Sequence, residues 1–220
     1  MYVKTRMTAN PFTIASDAPL TDLIGLMQEK KLKRVPVVAA DGKSVEGIVT
    51  EVDIQKVAPN KASTLSIFEI NYLLGKTKVK SAMTKDVITI TPDALLEDAA
   101  LLMRANRVSA LLVVEADGKL AGIITESDIF DAFLDLMGFR DAGTRITIEA
   151  LNAPGVLSDI TQIFFSFQYN ISHIAVYGGS AEKCDVVLRF NALNTGQLEK
   201  TLEEHGYKII HILRSKETQD

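Results

Sequence analysis

Hydrophobic and polar positions follow two different periods along this chain, and the order in which those periods occur repeats. Leu20, Leu23, Ile24 and Met27 have the i, i+3, i+4, i+7 spacing that gathers side chains on one helix face. Leu96, Ala99, Ala100 and Met103 do the same at an offset of 76. Each helix follows a short β-rich piece, at 12–14 or 87–90. Each precedes a continuous apolar run, at 35–38 or 111–114, as expected of a strand covered on both faces. Pro36 lacks a donor N–H, which predicts that its strand is an edge strand or starts nearby. Asp41-Gly42 and Asp117-Gly118 read as hairpin turns. A further strand then runs into a helix at Thr50 and again at Thr125, the latter helix carrying Ile129, Phe130, Phe133, Leu134 and Met137. The unit is β-α-β-β-α, and it occurs twice.

The duplication is literal as well as patterned. Met7-Thr8 returns as Met83-Thr84, and Asp41-Gly42-Lys43 as Asp117-Gly118-Lys119, both at an offset of 76. Gly47-Ile48-Val49-Thr50-Glu51-Val52-Asp53-Ile54 returns as Gly122-Ile123-Ile124-Thr125-Glu126-Ser127-Asp128-Ile129 at 75, one residue having dropped from the turn. A single unit of about sixty residues buries a marginal core, so two copies packed face to face are expected. Between them 59–64 is a polar break, and 65–74 is apolar enough for a packed helix that Gly75-Lys76 ends.

The pattern changes after Met137-Gly138, and 139–143 reads as a short hinge. Residues 145–151 alternate strictly, as a half-buried strand does. Asn152-Ala153-Pro154-Gly155 is a turn that opens a helix with Val156, Ile160, Ile163, Phe164 and Phe167 on its apolar face. Strands at 171–177 and 184–190, a helix near 197–205 carrying Leu198 and Leu202, and a strand at 207–213 complete the order β-α-β-β-α-β, the ferredoxin-like split unit.

Composition removes several functional classes. The net charge of −4 gives no global attraction for nucleic acid. The longest apolar runs, 99–103 and 110–114, fall far short of the roughly 20 residues of a membrane span. The opening residues show no signal-peptide core, and a cytoplasmic protein is expected. Cys184 is the single cysteine and sits in a strand-like setting, so it reads as a buried inert thiol. His173, His205 and His211 have no metal-ligand spacing, and nucleophile-elbow, phosphate-loop and Cys–His patterns are missing from the sequence. No catalytic residue, metal or cofactor is expected.

The most closely repeated residues, Thr50/Asp53 and Thr125/Asp128, allow two readings. Thr-x-x-Asp at a helix start is a capping box, with the hydroxyl and the carboxylate each bonding a free amide, and needs no ligand. The same place offers amides for a phosphate and a carboxylate for ribose hydroxyls. Glu51 and Glu126 lie in the gaps and disfavour a triphosphate. Lys33-Arg34 gives the first repeat positive charge that Ser109-Ala110 does not match, although a solvated basic pair is an equally good reading of it.

The Met-Thr opening, the Arg-Val-Pro-Val-Val strand, the Asp-Gly turn and the doubled Gly-Ile-(Val/Ile)-Thr-x-x-Asp-Ile resemble a tandem pair of CBS domains (a Bateman module) over residues 1–137. That resemblance implies Thr50 and Thr125 near phosphate, Asp53 and Asp128 on ribose, and Arg34 and Ser109 lining the clefts, with adenine between repeats. Asn152-x-Pro-Gly-Val-Leu followed by Asn170-Ile171 resembles an ACT domain over 144–214, which implies an amino acid or similar ligand at Asn152, Ala153, Pro154, Gly155, Val156 and Leu157, or a dimerisation surface alone. The whole order resembles the acetoin-utilisation protein (AcuB) family. The expected fold is α+β: CBS units at 1–62 and 81–138 packed as a pseudo-two-fold pair, a helical connector at 63–80, and a ferredoxin-like ACT domain at 144–214. The expected function is a non-catalytic regulatory sensor of an adenosine nucleotide, AMP-like, as a homodimer acting on a regulated protein that the sequence does not name. A ligand-free dimeric interaction scaffold is the alternative, and weak hydrolase or transferase action on the nucleotide ranks last.

Overall fold

The computed structural model describes residues 1–57, 66–180 and 182–216. The polar break expected at 59–64, and the 62/63 boundary with it, lie outside those residues. Two compact units divide the chain, Met1–Ile129 and Phe130–Asp220. Among the described residues no helix is long and apolar enough to cross a membrane.

The first unit starts with β1 (Thr8–Ala9) and continues through β2 (Ile14–Ala15), α1 (Leu20–Lys30), β3 (Arg34–Val38), β4 (Val45–Thr50) and α2 (Glu51–Val57). After the connector helix α3 (Ile67–Lys76) the order returns as β5 (Thr89–Ile90), α4 (Leu96–Asn106), β6 (Ala110–Val114), β7 (Leu120–Thr125) and α5 (Glu126–Leu136). The expected helix faces are the buried ones: Leu20, Leu23 and Met27 in α1, and Leu96, Ala99 and Met103 in α4. Both helices end on a cationic residue in the left-handed conformation, Lys31 (φ 53°) and Arg107 (φ 54°), where glycine is the usual occupant.

Each repeat lends its opening to the other. Sheet order is β2-β3-β4 in the first repeat but β1-β7-β6-β5 in the second, so Thr8–Ala9 pairs with the far repeat. Reciprocally, Thr84 and Ile48 exchange backbone hydrogen bonds of 2.9 and 3.0 Å. Val79 is buried in the first repeat's core beside Leu20, Leu23 and Val37, its amide donating to the Ala18 carbonyl at 3.0 Å. Val3 is equally buried, and its amide donates to Ala94 in the second repeat at 2.9 Å. This exchange accounts for the repeated Met-Thr and Gly. A Cβ on Gly47 would lie 2.7 Å from the Thr84 carbonyl and 3.0 Å from Met83 Sδ. One on Gly122 would lie 2.6 Å from Met7 Sδ and 2.8 Å from the Thr8 carbonyl.

Pro36 stands in β3, the central strand of its sheet, which begins two residues earlier at Arg34; of the two expected placements the strand start holds and the edge does not. β2 is two residues long and pairs only Val37 and Val38, so the missing donor at Pro36 forfeits no bond on that side. The connector forms a helix, helped by a capping box in which Ser66 and Glu69 bond each other's amides. Of its described side chains, Leu74 packs against the first repeat's core, while Phe68, Tyr72 and Leu73 are exposed. Phe130 and Phe133 on α5 are likewise exposed.

In the second unit β8 (Gly143–Leu151), α6 (Val156–Ser166), β9 (Ile171–Tyr177), β10 (Lys183–Phe190), α7 (Gly196–Glu204) and β11 (Lys208–Ser215) build one antiparallel sheet of order β11-β8-β10-β9. Ile146, Ile148, Val186 and Leu188 meet Ile160, Ile163, Phe164, Leu198 and Leu202 in one buried core. Phe164 packs edge-to-face on Phe190 at 4.9 Å. This is the ferredoxin-like arrangement expected from the alternation.

Candidate functional site

The strand-to-helix junctions that close the two repeats are built alike. Thr50 donates its amide (3.0 Å) and its hydroxyl (2.7 Å) to Asp53 Oδ2, while its Oγ1 accepts the Asp53 amide at 3.3 Å. Thr125 and Asp128 repeat this at 2.7, 2.7 and 3.4 Å. Both are therefore capping boxes, as the plainer sequence reading has it. The next amide in each, Glu51 or Glu126, donates back to the preceding repeat strand at the Lys33 or Ser109 carbonyl.

What separates the two junctions is their surroundings. A cavity of about 220 Å³ is lined by Thr50 and Asp53 from the first repeat and by Thr84, Asp86, Arg107 and Ser109 from the second. Arg34 and Ile48 complete the first repeat's side, and Val87, Ile88, Val108, Ala110 and Leu112 supply an apolar wall. Because the openings are exchanged, residues following Thr84 face the Thr50–Asp53 junction of the other repeat. Four expected residues, Arg34, Thr50, Asp53 and Ser109, thus share one cavity, whereas Thr125 and Asp128 stand outside it. Lys33 also stands outside, on the surface.

The electrostatics of the cavity are mixed. Arg34 Nη1 donates to the Ser109 carbonyl at 2.6 Å, so this cation is held across the repeat boundary by a neutral acceptor. Arg107 makes no ion pair or side-chain hydrogen bond among the described residues, which leaves its guanidinium available. The sequence reading missed it. Nothing in the local residue pattern sets it apart, and its left-handed conformation at the end of α4 is shared by Lys31, which does not line the cavity. Asp53 feels burial, which raises its pKa, but hydrogen bonds from the Thr50 hydroxyl, Lys56 and the Thr50 amide outweigh that and hold the carboxyl below its ordinary value. It is ionised at neutral pH. Its Oδ2 is committed to Thr50, while Oδ1 meets only the exposed Lys56 ammonium, at 3.1 Å.

In the second unit Asn152, Ala153, Pro154, Gly155 and Leu157 lie on the surface. Gly155 has φ +93° and opens α6, and a Cβ there would meet nothing within 4 Å. Of the six expected residues Val156 lines a cavity of about 200 Å³ shared with Glu149, Lys183, His205, Tyr207 and Lys208. Among the described residues no three acidic, histidine or cysteine side chains are grouped to hold a metal.

The CBS-domain profile matches residues 3–60 and 79–135, more than half of the chain. The chain belongs to the CBS-domain family. The ACT-domain profile matches 144–212, so a tandem CBS pair is followed by an ACT domain. An uncharacterized protein of Methanocaldococcus jannaschii, MJ1426, is 34% identical over 156 residues, 61% of this chain and 92% of its own. Among solved structures, CBSX2 in complex with AMP shares 29% identity at a TM-score of 0.50, covering 61% of this chain and 96% of its own. A provisionally named acetoin utilization protein (AcuB) from Vibrio cholerae shares 29% at a TM-score of 0.52, covering 63% and 94%. Other relatives are enzymes of which the chain spans about a quarter: a homoserine O-acetyltransferase of Methanohalobium evestigatum (32% identical, 58% of this chain and 23% of the enzyme) and an inosine-5'-monophosphate dehydrogenase of M. jannaschii (32%, 64% and 25%).

Proposed function

We propose that the protein is a non-catalytic regulatory sensor that binds an adenosine nucleotide, AMP-like, in the cavity between its CBS repeats. The observation that carries this reading is the convergence of Asp53, Arg34 and Arg107 around one apolar-walled cavity. Asp53 Oδ1 accepts ribose hydroxyls once Lys56 swings into solvent, and Arg107, with Arg34, meets a phosphate. Ile48, Val87, Ile88 and Leu112 suit a purine face. The AMP complex of CBSX2 is in keeping with this ligand class. Domain limits of 1–62, 63–80, 81–138 and 144–214 go with the reading.

The interaction-scaffold alternative draws support from the second junction. Thr125 and Asp128 form the same box away from the cavity, so there a cap alone explains the residues. The proposal accordingly ranks the Thr50–Asp53 side as the occupied one. For the ACT domain it assigns either an amino acid at 152–157 or dimerisation, since β9, at the sheet edge, exposes Ile174, Val176 and Tyr177. The protein that responds is left to a partner screen, and a cytoplasmic setting is part of the proposal.

Calorimetry with AMP tests the nucleotide reading. A hydrogen bond to a charged group contributes roughly 1.5–3 kcal/mol, so Asp53→Ala weakens binding about tenfold or more. Asp53→Asn keeps a capping side chain but removes the charge and is expected to weaken binding as well. Asp128→Ala costs less. Equal affinities in all four proteins mean that Thr-x-x-Asp is only a helix cap here.

A further inference from the structure

The ACT sheet has a second face, turned away from α6 and α7, and it carries an unusual row of cations. In the sheet register Arg189 of β10 lies directly opposite Arg145 of β8 on one side and His173 of β9 on the other. Directly opposed residues point to the same face of a sheet. The alternate positions Ile146 and Leu188 belong to the helix-covered core, so these three side chains share the outer face. Like charges directly opposite one another destabilise a pair of strands, and here two permanent cations and one titratable ring stand side by side.

The central member is also the most buried. Arg189 is 2% exposed, yet among the described residues neither it nor Arg145 has a carboxylate within 4 Å. Its Nε has no hydrogen-bond partner among the described residues. Its Nη2 donates to the Asp141 carbonyl, a neutral acceptor. Arg145 Nη1 reaches only the Thr147 hydroxyl, at 3.2 Å. Buried charges are ordinarily paired, because desolvating one without a counter-charge is costly. Burial lowers the Arg189 pKa, Asp141 opposes that, and Arg145 adds to it.

The counter-charge within reach is on the segment 138–142, which passes over this row. Asp141 Oδ2 lies 3.4 Å from His173 Nδ1. Gly138 has φ +61°, and a Cβ there would collide with the His173 ring and come within 2.9 Å of Arg189 Cδ. Arg140 ties the same segment to α5 through Asp131 (2.6 Å) and Asp135 (2.9 Å). The segment is thus a strap, seated on the cation row by one half-exposed carboxylate and two backbone groups.

We propose that Arg145, Arg189 and His173 form an oxyanion site on the outer face of the ACT sheet, at which Asp141 stands as a built-in competitor in this conformation, its carboxylate at His173 and its carbonyl at Arg189. A phosphate or a small dicarboxylate offers two negative charges where Asp141 offers one. It supplies acceptors for Arg189 Nε and for the free donors of Arg145, and the guanidinium fork matches both chemistries. Occupation lifts Asp141 and loosens the strap at Arg140. The site is separate from the nucleotide cavity and does not depend on it.

The test uses the full chain in inorganic phosphate, in malonate and in chloride at equal ionic strength. Thermal shift reports binding, and trypsin cleavage after Arg140, read by mass spectrometry, reports the strap. The expected result is a higher melting temperature and cleavage several-fold faster in phosphate or malonate than in chloride. Whichever anion acts identifies the source chemistry. Asp141→Asn removes the competing charge and should tighten the anion about tenfold. Arg189→Met keeps the buried volume and should abolish the response, and Arg145→Ala, at a half-buried position, should do the same without disturbing the interior. No difference between the oxyanions and chloride overturns the proposal, as does a response that survives in Arg189→Met or Arg145→Ala.

Discussion

Replacing Gly47 by alanine tests the exchange of openings that builds the nucleotide cavity. The added Cβ would sit 2.7 Å from the Thr84 carbonyl, which is backbone and has no rotamer in which to retreat. Restoring ordinary contact at 3.4 Å requires the strands to part by about 0.7 Å, which stretches the paired bonds of 2.9 and 3.0 Å between Thr84 and Ile48 past useful range. Each such bond contributes about 0.5–1.5 kcal/mol, and overpacking of this kind costs about 1–3 kcal/mol. Alanine returns about 0.4–1 kcal/mol by restricting the unfolded chain, leaving a net loss of roughly 1–5 kcal/mol. Gly25→Ala is the control of opposite sign. Gly25 is exposed within α1 with nothing within 4 Å of its would-be Cβ, so alanine should stabilise by about 0.5–1 kcal/mol. Urea unfolding of the full chain measures both, and hydrogen exchange at the Ile48 and Thr84 amides localises the damage. Since Ile48 and Thr84 line the cavity, Gly47→Ala should also weaken AMP binding. Gly122→Ala, at the matched position outside the cavity, should lose similar stability and leave AMP affinity nearly intact. A Gly47→Ala protein as stable as wild type would refute the steric account of the repeated glycine.

Three further outcomes are expected. Asp41 is held at a pKa of about 2 by the Ser44 hydroxyl and the Lys43 and Ser44 amides; its folded pKa is depressed, so its contribution is present above pH 4 and lost as pH falls toward 2. The wild-type urea midpoint should therefore drop more between pH 5 and pH 2.5 than that of Asp41→Ala, and parallel curves would contradict this. If 152–157 hold a carboxylate, some member of an amino-acid panel should raise the melting temperature, and Gly155→Asp should remove that shift; a flat panel leaves the ACT domain as a dimerisation surface. Light scattering at micromolar concentration should give a dimer mass, and a monomer would rule out the homodimer.

Repetition and period carried most of this architecture in the sequence itself. Helix faces such as Leu20, Leu23 and Met27, the turns at Gly42 and Gly118, and the order of elements along the ACT domain are local consequences of spacing, of φ and of alternating burial, and such consequences are written in neighbouring residues. The Thr-x-x-Asp boxes were legible for the same reason, since a cap is made within four residues. Spatial partners are a different matter. That Val79 is buried with Leu20 and Val37, that Gly47 meets Thr84, and that Pro36 sits in a central strand without losing a bond toward β2 all depend on pairings between distant segments. Local pattern says that a residue is buried, not by what. The same limit hid Arg107, which lines one cavity with Arg34, Thr50 and Asp53 of the other repeat. It also hid the cation row, since Arg145, His173 and Arg189 are far apart in the chain and become neighbours only through strand register. The sequence by itself determined the units and their caps; the tertiary pairing decided which of two identical caps faces a cavity, and what charge waits there.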